Sequence, residues 1–219
     1  MTIVDLAFTL QSAAQTSDVI EVPRDHGYAL YGAISRTLPA LHEASWLAVH
    51  PLGGTPADGN RLRVHPLGGL RLRVPTDHIA TALGLTGQTL DVAGSPVRVG
   101  APTVHALVPA ASLDARLVVV KLTDVPMRDH PTLARPSLDR AAMEIRVRDE
   151  LDRQLERLGI AAKATLAGHG RMIVAGKQIV GFSVRILGLS ADASLALQAA
   201  GLGGKRRMGC GVFRPTRGA

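Results

Sequence analysis

A chain of 219 residues is long enough for one large domain or two of about a hundred residues each, and with 46% hydrophobic and 20% charged residues its composition is that of a globular protein. Lys and Arg outnumber Asp and Glu by 25 to 18, a balance of +7 that favours polyanionic partners, while aromatics at 3% exclude a binder built on many base-stacking platforms. The lone Cys210 excludes an internal disulfide framework, Cys and His show no zinc-site spacing, and no apolar run approaches the roughly 20 residues that span a bilayer.

The opening MTIVDLAFTLQ lacks the charged-then-apolar order of a signal peptide, so a cytoplasmic protein is expected, with no membrane partner, no metal and no cofactor. IVDLAFTL alternates as a strand, with Val4, Leu6 and Phe8 on one face. A helix follows, with Pro23 and Asp25 at its start and Tyr28, Tyr31, Ile34, Leu38 and Leu41 at three- and four-residue steps; Pro39 kinks or ends it. AVHPLGG at 48–54 and RVHPLGG at 63–69 form a near-repeat, and RLRV begins at Arg61 and again at Arg71. Strands stopped by Pro and Gly-Gly describe a meander rather than a solenoid. TDHIATALGL reads as a short helix capped by Thr76 or Asp77, and QTLDVAG and SPVRVGAPTVHALVP return to strands. Strand, helix, strands, helix, strand is the split βαβ, ferredoxin-like order.

The second half repeats it. ARLVVVKL is apolar enough for a central strand, and residues 135–158 place Leu138, Ala142, Ile145, Leu151, Leu155 and Leu158 on a helical stripe. IAAKATLAG and QIVGFSVRIL are strands around a Gly168–Gly170 turn and RMIVAGK. SADASLALQAAGL is a helix capped by Ser190 with Gly201 past its end, GCGVF is a closing strand, and TDVPMRDHPTLARPS is a flexible loop. The expected fold is α+β, two tandem ferredoxin-like (RRM-like) βαββαβ units over residues 1–110 and 111–219.

GLGGKRRMGCGVFRP, residues 201–215, then links the second unit's last helix to its last strand. Gly201, Gly203, Gly204, Gly209 and Gly211 permit positive φ and close approach of a ligand, successive N–H groups can form an anion-binding nest, and Lys205, Arg206 and Arg207 suit a phosphate chain. A solvated hairpin turn explains the same residues. Arg171 and Lys177, flanking MIVAG, either extend the phosphate track or are simply solvated.

HGYALYGAISRTLPALHE, VGFSVRI and LSADASLALQAAGLGGKRRMGCGVF together resemble the CRISPR-associated repeat-RNA-processing endoribonucleases, Cas family six of the RAMP superfamily, and within them the Myxan-subtype branch. The resemblance covers nearly the whole chain. It implies two ferredoxin-like halves that hold CRISPR repeat RNA, often a stem-loop, as pre-crRNA or crRNA, and cut it without metal, leaving 5′-hydroxyl and 2′,3′-cyclic phosphate ends. Other Cas subunits of a surveillance complex are implied as further partners. Cys210 stands where many relatives carry an aromatic, which argues against base stacking by this loop.

Attack of a 2′-hydroxyl on its own phosphate needs one group to take the hydroxyl proton and another to protonate the departing 5′ oxygen, tasks that suit imidazole. His42 in PALHE occupies the family's L-H-E position, eleven residues from Tyr31 and on its face if the helix is continuous. His50 is the next candidate, although its V-H-P recurs at His65 as turn grammar, and His26 at the helix start is equally explained by capping or packing. Tyr28 and Tyr31 fit a core stripe, and only the resemblance makes them catalytic candidates. Ser35 is either a hydroxyl donor or helix surface. Two other readings stay open: a non-catalytic guide-RNA-binding subunit of a CRISPR ribonucleoprotein complex, and a plain ferredoxin-like protein-interaction module.

Overall fold

The structure, a computed structural model, describes residues 2–14, 18–65, 69–122 and 140–216. Strand β1 (Ile3–Ser12) lies at the centre of a five-stranded antiparallel sheet with β3 (Ala48–Val49), β6 (Leu70–Pro75), β7 (Thr89–Val92) and β8 (Ser95–Ala106), in the order β3-β6-β1-β8-β7. Without β7, strands β8-β1-β6-β3 have the 4-1-3-2 order of a ferredoxin-like unit. Helix α1 (Gly27–Thr37) covers one face, where its Leu30, Ala33 and Ile34 pack with Val4, Leu6 and Phe8. The short helix α2 (Ile79–Leu83) adds Ala82 to that core.

The near-repeat is not a structural repeat. AVHPLGG contributes β3 to the large sheet, whereas RVHPLGG begins within β5 (Arg61–Val64), the middle strand of a small sheet with β2 (Glu21–Pro23) and β4 (Gly54–Ala57). One pattern serves both because each short strand needs only a buried Val and a stop.

In the second unit, β9 (Ser112–Val118), α3 (Arg140–Arg157), β10 (Ala164–Val174), β11 (Lys177–Leu187), α4 (Ala191–Ala200) and β12 (Arg214–Pro215) follow in chain order. The sheet order β10-β11-β9-β12 is again 4-1-3-2 read from β12. Its core gathers Leu151, Leu155, Phe182, Val184, Ile186, Leu197 and Phe213. The fold is therefore α+β with tandem ferredoxin-like units. No helix among the described residues is long and apolar enough to cross a membrane.

Several local expectations are corrected. The buried stripe of α3 is Val147, Leu151 and Leu155 with half-buried Met143, a strict four-residue step, while Ile145 and Leu158 are exposed. Gly168–Gly170 lies inside β10 beside a register shift between Leu166 and Gly168; the chain turns at Ala175 and Gly176, both at positive φ. Neither Thr76 nor Asp77 caps a helix: residues 76–78 form a 3-10 turn entered from Pro75, and no side chain caps α2. Asp25 does not cap α1 either, because its carboxylate accepts the Ile173 N–H at 2.6 Å and ties the helix start to β10. GCGVF is not a strand; β12 begins at Arg214. Ser190 does cap α4, accepting from the Ala193 N–H, and Gly201 ends it at φ 68°. The expected flexible loop and the start of the long helix, residues 123–139, lie outside the described residues.

Candidate active site

α1 ends at Thr37, and a 3-10 turn from Pro39 to Leu41 carries the chain to His42. The helix is thus not continuous from Tyr31 to His42, yet the two rings lie nearly parallel at 11°, their centroids 6.0 Å apart. Tyr31 is buried, and its hydroxyl donates to the His42 carbonyl. His42 itself is exposed.

Arg207 reaches this pair from the second unit. Its guanidinium donates to the His42 carbonyl, and Cζ stands 5.2 Å from the centroid of the Tyr31 ring. Tyr31, His42 and Arg207, 176 positions apart at the extremes of the sequence numbering 31 to 207, therefore meet at one surface point. Tyr28, on the exposed side of α1, joins none of these contacts.

The glycine-rich loop is not a row of free amides. Gly201 N–H donates to Leu197, Leu202 to Gly211, Gly204 to Val119, Gly211 to Leu117, and Met208 and Cys210 both to Lys205. Gly203 N–H donates to the Gln154 side chain at 2.7 Å. The glycines are needed for packing: Gly201, Gly203, Gly209 and Gly211 all have positive φ, and a Cβ on Gly203 or Gly211 would strike a backbone carbonyl oxygen. Lys205, also left-handed at φ 63°, starts a 3-10 turn through Arg206 and Arg207. The three cations point to different tasks. Arg206 turns inward and donates to the Ala199 carbonyl at 2.7 Å, with burial and the nearby Arg73 pulling its guanidinium down to about 10. Cys210 is buried with its thiol against Met172 and is pushed up to about 11 by burial, so it offers no stacking surface.

His26 is buried with both ring nitrogens engaged: Nδ1 with the Pro23 carbonyl at 3.1 Å and Nε2 accepting the Leu52 N–H at 2.9 Å. That pattern defines the neutral Nδ1-H tautomer, and burial, with Arg116 adding to it, lowers its proton affinity. His50 is also buried, with Nε2 3.4 Å from Asp5 Oδ1. Burial and Arg73 outweigh Asp5, lowering His50 to about 4. Burial opposes ionisation of Asp5, but His50 and Arg73 prevail and hold its carboxyl well below the usual range. Ser35 is buried rather than surface, with no hydrogen-bond partner for its hydroxyl among the described residues.

A cavity of about 600 Å³ opens between the units, lined by His26, Gly27, Arg24, Arg116, Arg171 and Met208 among others; Met208 follows Arg207 in the chain, while Tyr31, His42 and Arg207 do not line it. Arg171 is exposed on β10, and Lys177 lies exposed at the start of β11, just past the hairpin turn. The sequence did not single out Arg24 or Arg116, because isolated arginines on a loop and a strand carry no spacing signal. Among the described residues no group of three or more His, Cys, Asp or Glu is gathered as a metal site would need.

Residues 4–218 match the sequence profile of the Cas6 family, described as Cas6 Crispr. The CRISPR-associated endonuclease Cas6 of Myxococcus xanthus (strain DK1622) is 39% identical over 215 residues, which cover 98% of this chain and 82% of the relative. Among solved structures, an RAMP protein binding different RNA substrates is similar at 13% identity with a TM-score of 0.67, covering 98% of this chain and all of the other. A Cas6-related protein from Pyrococcus furiosus is similar at 16% identity with a TM-score of 0.62, covering 97% of each chain. Those distant likenesses share the two-unit fold, and the match along nearly the full sequence settles the family: this chain belongs to the Cas6 family of CRISPR-associated proteins.

Proposed function

We propose that this chain is an endoribonuclease that cuts CRISPR repeat RNA, presented as a stem-loop within pre-crRNA, and that residues 1–110 and 111–219 are its two folding units. The Myxococcus xanthus relative is named an endonuclease, which supports the reaction class. The observation that carries the site is the meeting of Tyr31, His42 and Arg207 across the two units.

In the reaction, the 2′ oxygen bonds to the adjacent phosphorus, the bond from phosphorus to the 5′ oxygen breaks, and the ends left are a 2′,3′-cyclic phosphate and a 5′-hydroxyl. His42 takes the 2′-hydroxyl proton, since the residue is exposed while its backbone is held from both sides, and water protonates the departing 5′ oxygen, the hydroxide so formed recovering the proton held by the imidazolium. Arg207 places a fixed cation beside it to offset charge gathering on the phosphate. Tyr31 is a positioning residue, because its proton is already given to the His42 carbonyl. These steps need proton transfer and charge stabilisation only, so the reaction proceeds without metal. Arg24, Arg116, Arg171, Lys177 and Lys205 hold the RNA backbone, while Arg206, His26 and His50 serve the fold.

The test is incubation with the repeat RNA of its own locus in EDTA, with analysis of the product ends. Cutting to a cyclic phosphate supports the proposal; RNA bound but intact supports a guide-RNA-binding subunit; neither outcome supports an interaction module.

A further inference from the structure

We infer that Arg73 is a positioning residue for this site: it fixes both ends of the glycine-rich loop and so sets where Arg207 meets His42. The inference rests on the assignment of His42 and Arg207 proposed above. Arg73 on β6 is the register partner of Asp5 on β1, and both point away from the α1 face of the sheet. Arg73 is only 2% exposed because the second unit covers it.

Four of the guanidinium's contacts are directional. Nε and Nη2 donate to the two Asp5 carboxylate oxygens at 2.8 and 3.1 Å. Nη1 donates to the carbonyls of Gln198 at 2.7 Å and Phe213 at 2.8 Å. Gln198 lies in the last turn of α4, whose carbonyls have no helical partner and favour a cation. Phe213 lies just beyond the loop. The two gripped carbonyls therefore bracket residues 201–211, and Arg206 adds a third hold at Ala199.

A buried ion pair is often no more stabilising than apolar packing, so its use here points to geometry. Only a planar fork can meet a carboxylate in bidentate fashion and two further acceptors together; a lysine ammonium cannot. No local pattern announces these contacts, since RLRV reads as a short alternating strand and the acceptors lie 125 and 140 residues away.

The test is Arg73→Lys in the full chain, read by hydrogen exchange without RNA and by single-turnover cleavage at saturating RNA. Amides of residues 197–213, such as those of Gly204 and Gly211, should exchange about tenfold faster while those of β1 and β6 change by less than about twofold. Cleavage should slow about tenfold with RNA affinity held within about threefold. Asp5→Asn, which keeps Arg73 and both carbonyl grips, should give the same pattern more weakly, and it decides the matter if Arg73→Lys does not fold. Unchanged loop exchange, exchange rising evenly over both sheets, or cleavage at the unsubstituted rate would overturn the inference. Should the unsubstituted chain not cut at all, the proposed function fails, while the exchange experiment still decides the role of Arg73.

Discussion

Arg207 and Tyr31 face each other across the two units, with the guanidinium carbon 5.2 Å from the ring centroid and both side chains donating to one carbonyl, that of His42. A cation over an aromatic face is attracted to it, and the shared acceptor fixes the direction of approach. The loop that carries Arg207 thereby becomes part of the wall behind His42.

Arg207→Ala should slow cleavage about a hundredfold, the scale of losing one charge-stabilising donor. Because the proposed function sets the same cation near the phosphate backbone, the slope of log affinity against log salt should fall by about one. Arg207→Lys should restore the salt slope but not the rate, since an ammonium cannot hold the carbonyl and cover the ring together. Filter binding at several salt concentrations and single-turnover cleavage check both parts.

Tyr31→Phe keeps the buried ring and removes the hydroxyl donor to His42. It should cost about 1 kcal/mol in stability and slow cleavage about tenfold with little change in RNA affinity. Thermal melts and rate measurements on the same preparation separate the two effects.

Gly203→Ala and Gly211→Ala should each destabilise the chain by about 1–3 kcal/mol, because a left-handed non-glycine residue is strained and the new Cβ meets the Val119 or Leu202 carbonyl oxygen. Gly176→Ala, also at positive φ but in open space on the β10–β11 turn, should cost less than either. Urea midpoints of the three variants give the ranking.

Acid should weaken the fold before most carboxylates titrate. His50 has a folded value near 4, below the ordinary 6.5, so the unfolded chain takes up the proton first. Its contribution is fully present above pH 6.5 and is lost as pH falls towards 4, a change of about 3 kcal/mol. His26, lowered by burial, acts in the same direction. His50→Gln should flatten the fall in the urea midpoint across that range, leaving the smaller part due to His26.

The strand-helix order of both units was legible because Val4, Leu6 and Phe8, or Ser190 and Gly201, act through local periodicity and capping. The stripe of α3 was misread at Ile145 because Ile145 and Val147, two positions apart, put apolar residues on nearly opposite faces of the helix, and only the second unit's sheet decides which face is buried. The β10–β11 turn was misplaced because Gly168 and Gly170 look like breakers, whereas packing of Leu117 against Gly170 keeps the strand running. At the site, Tyr31 and His42 were within reach of helical spacing, although the helix breaks at Leu38. The parts set by contacts between the units, Arg207 on His42, Asp25 on Ile173 and Arg73 on Phe213, span 140 residues or more and leave no local pattern.

The most direct test compares the unsubstituted chain, His42→Ala and His50→Gln on repeat RNA in EDTA under single-turnover conditions, with binding measured in parallel. The account predicts that His42→Ala loses about 10²- to 10⁴-fold in rate while still binding RNA, and that His50→Gln cuts at neutral pH within about threefold of the unsubstituted chain. Full cutting by His42→Ala, or loss of cutting with His50→Gln while its fold and RNA binding persist, would contradict it.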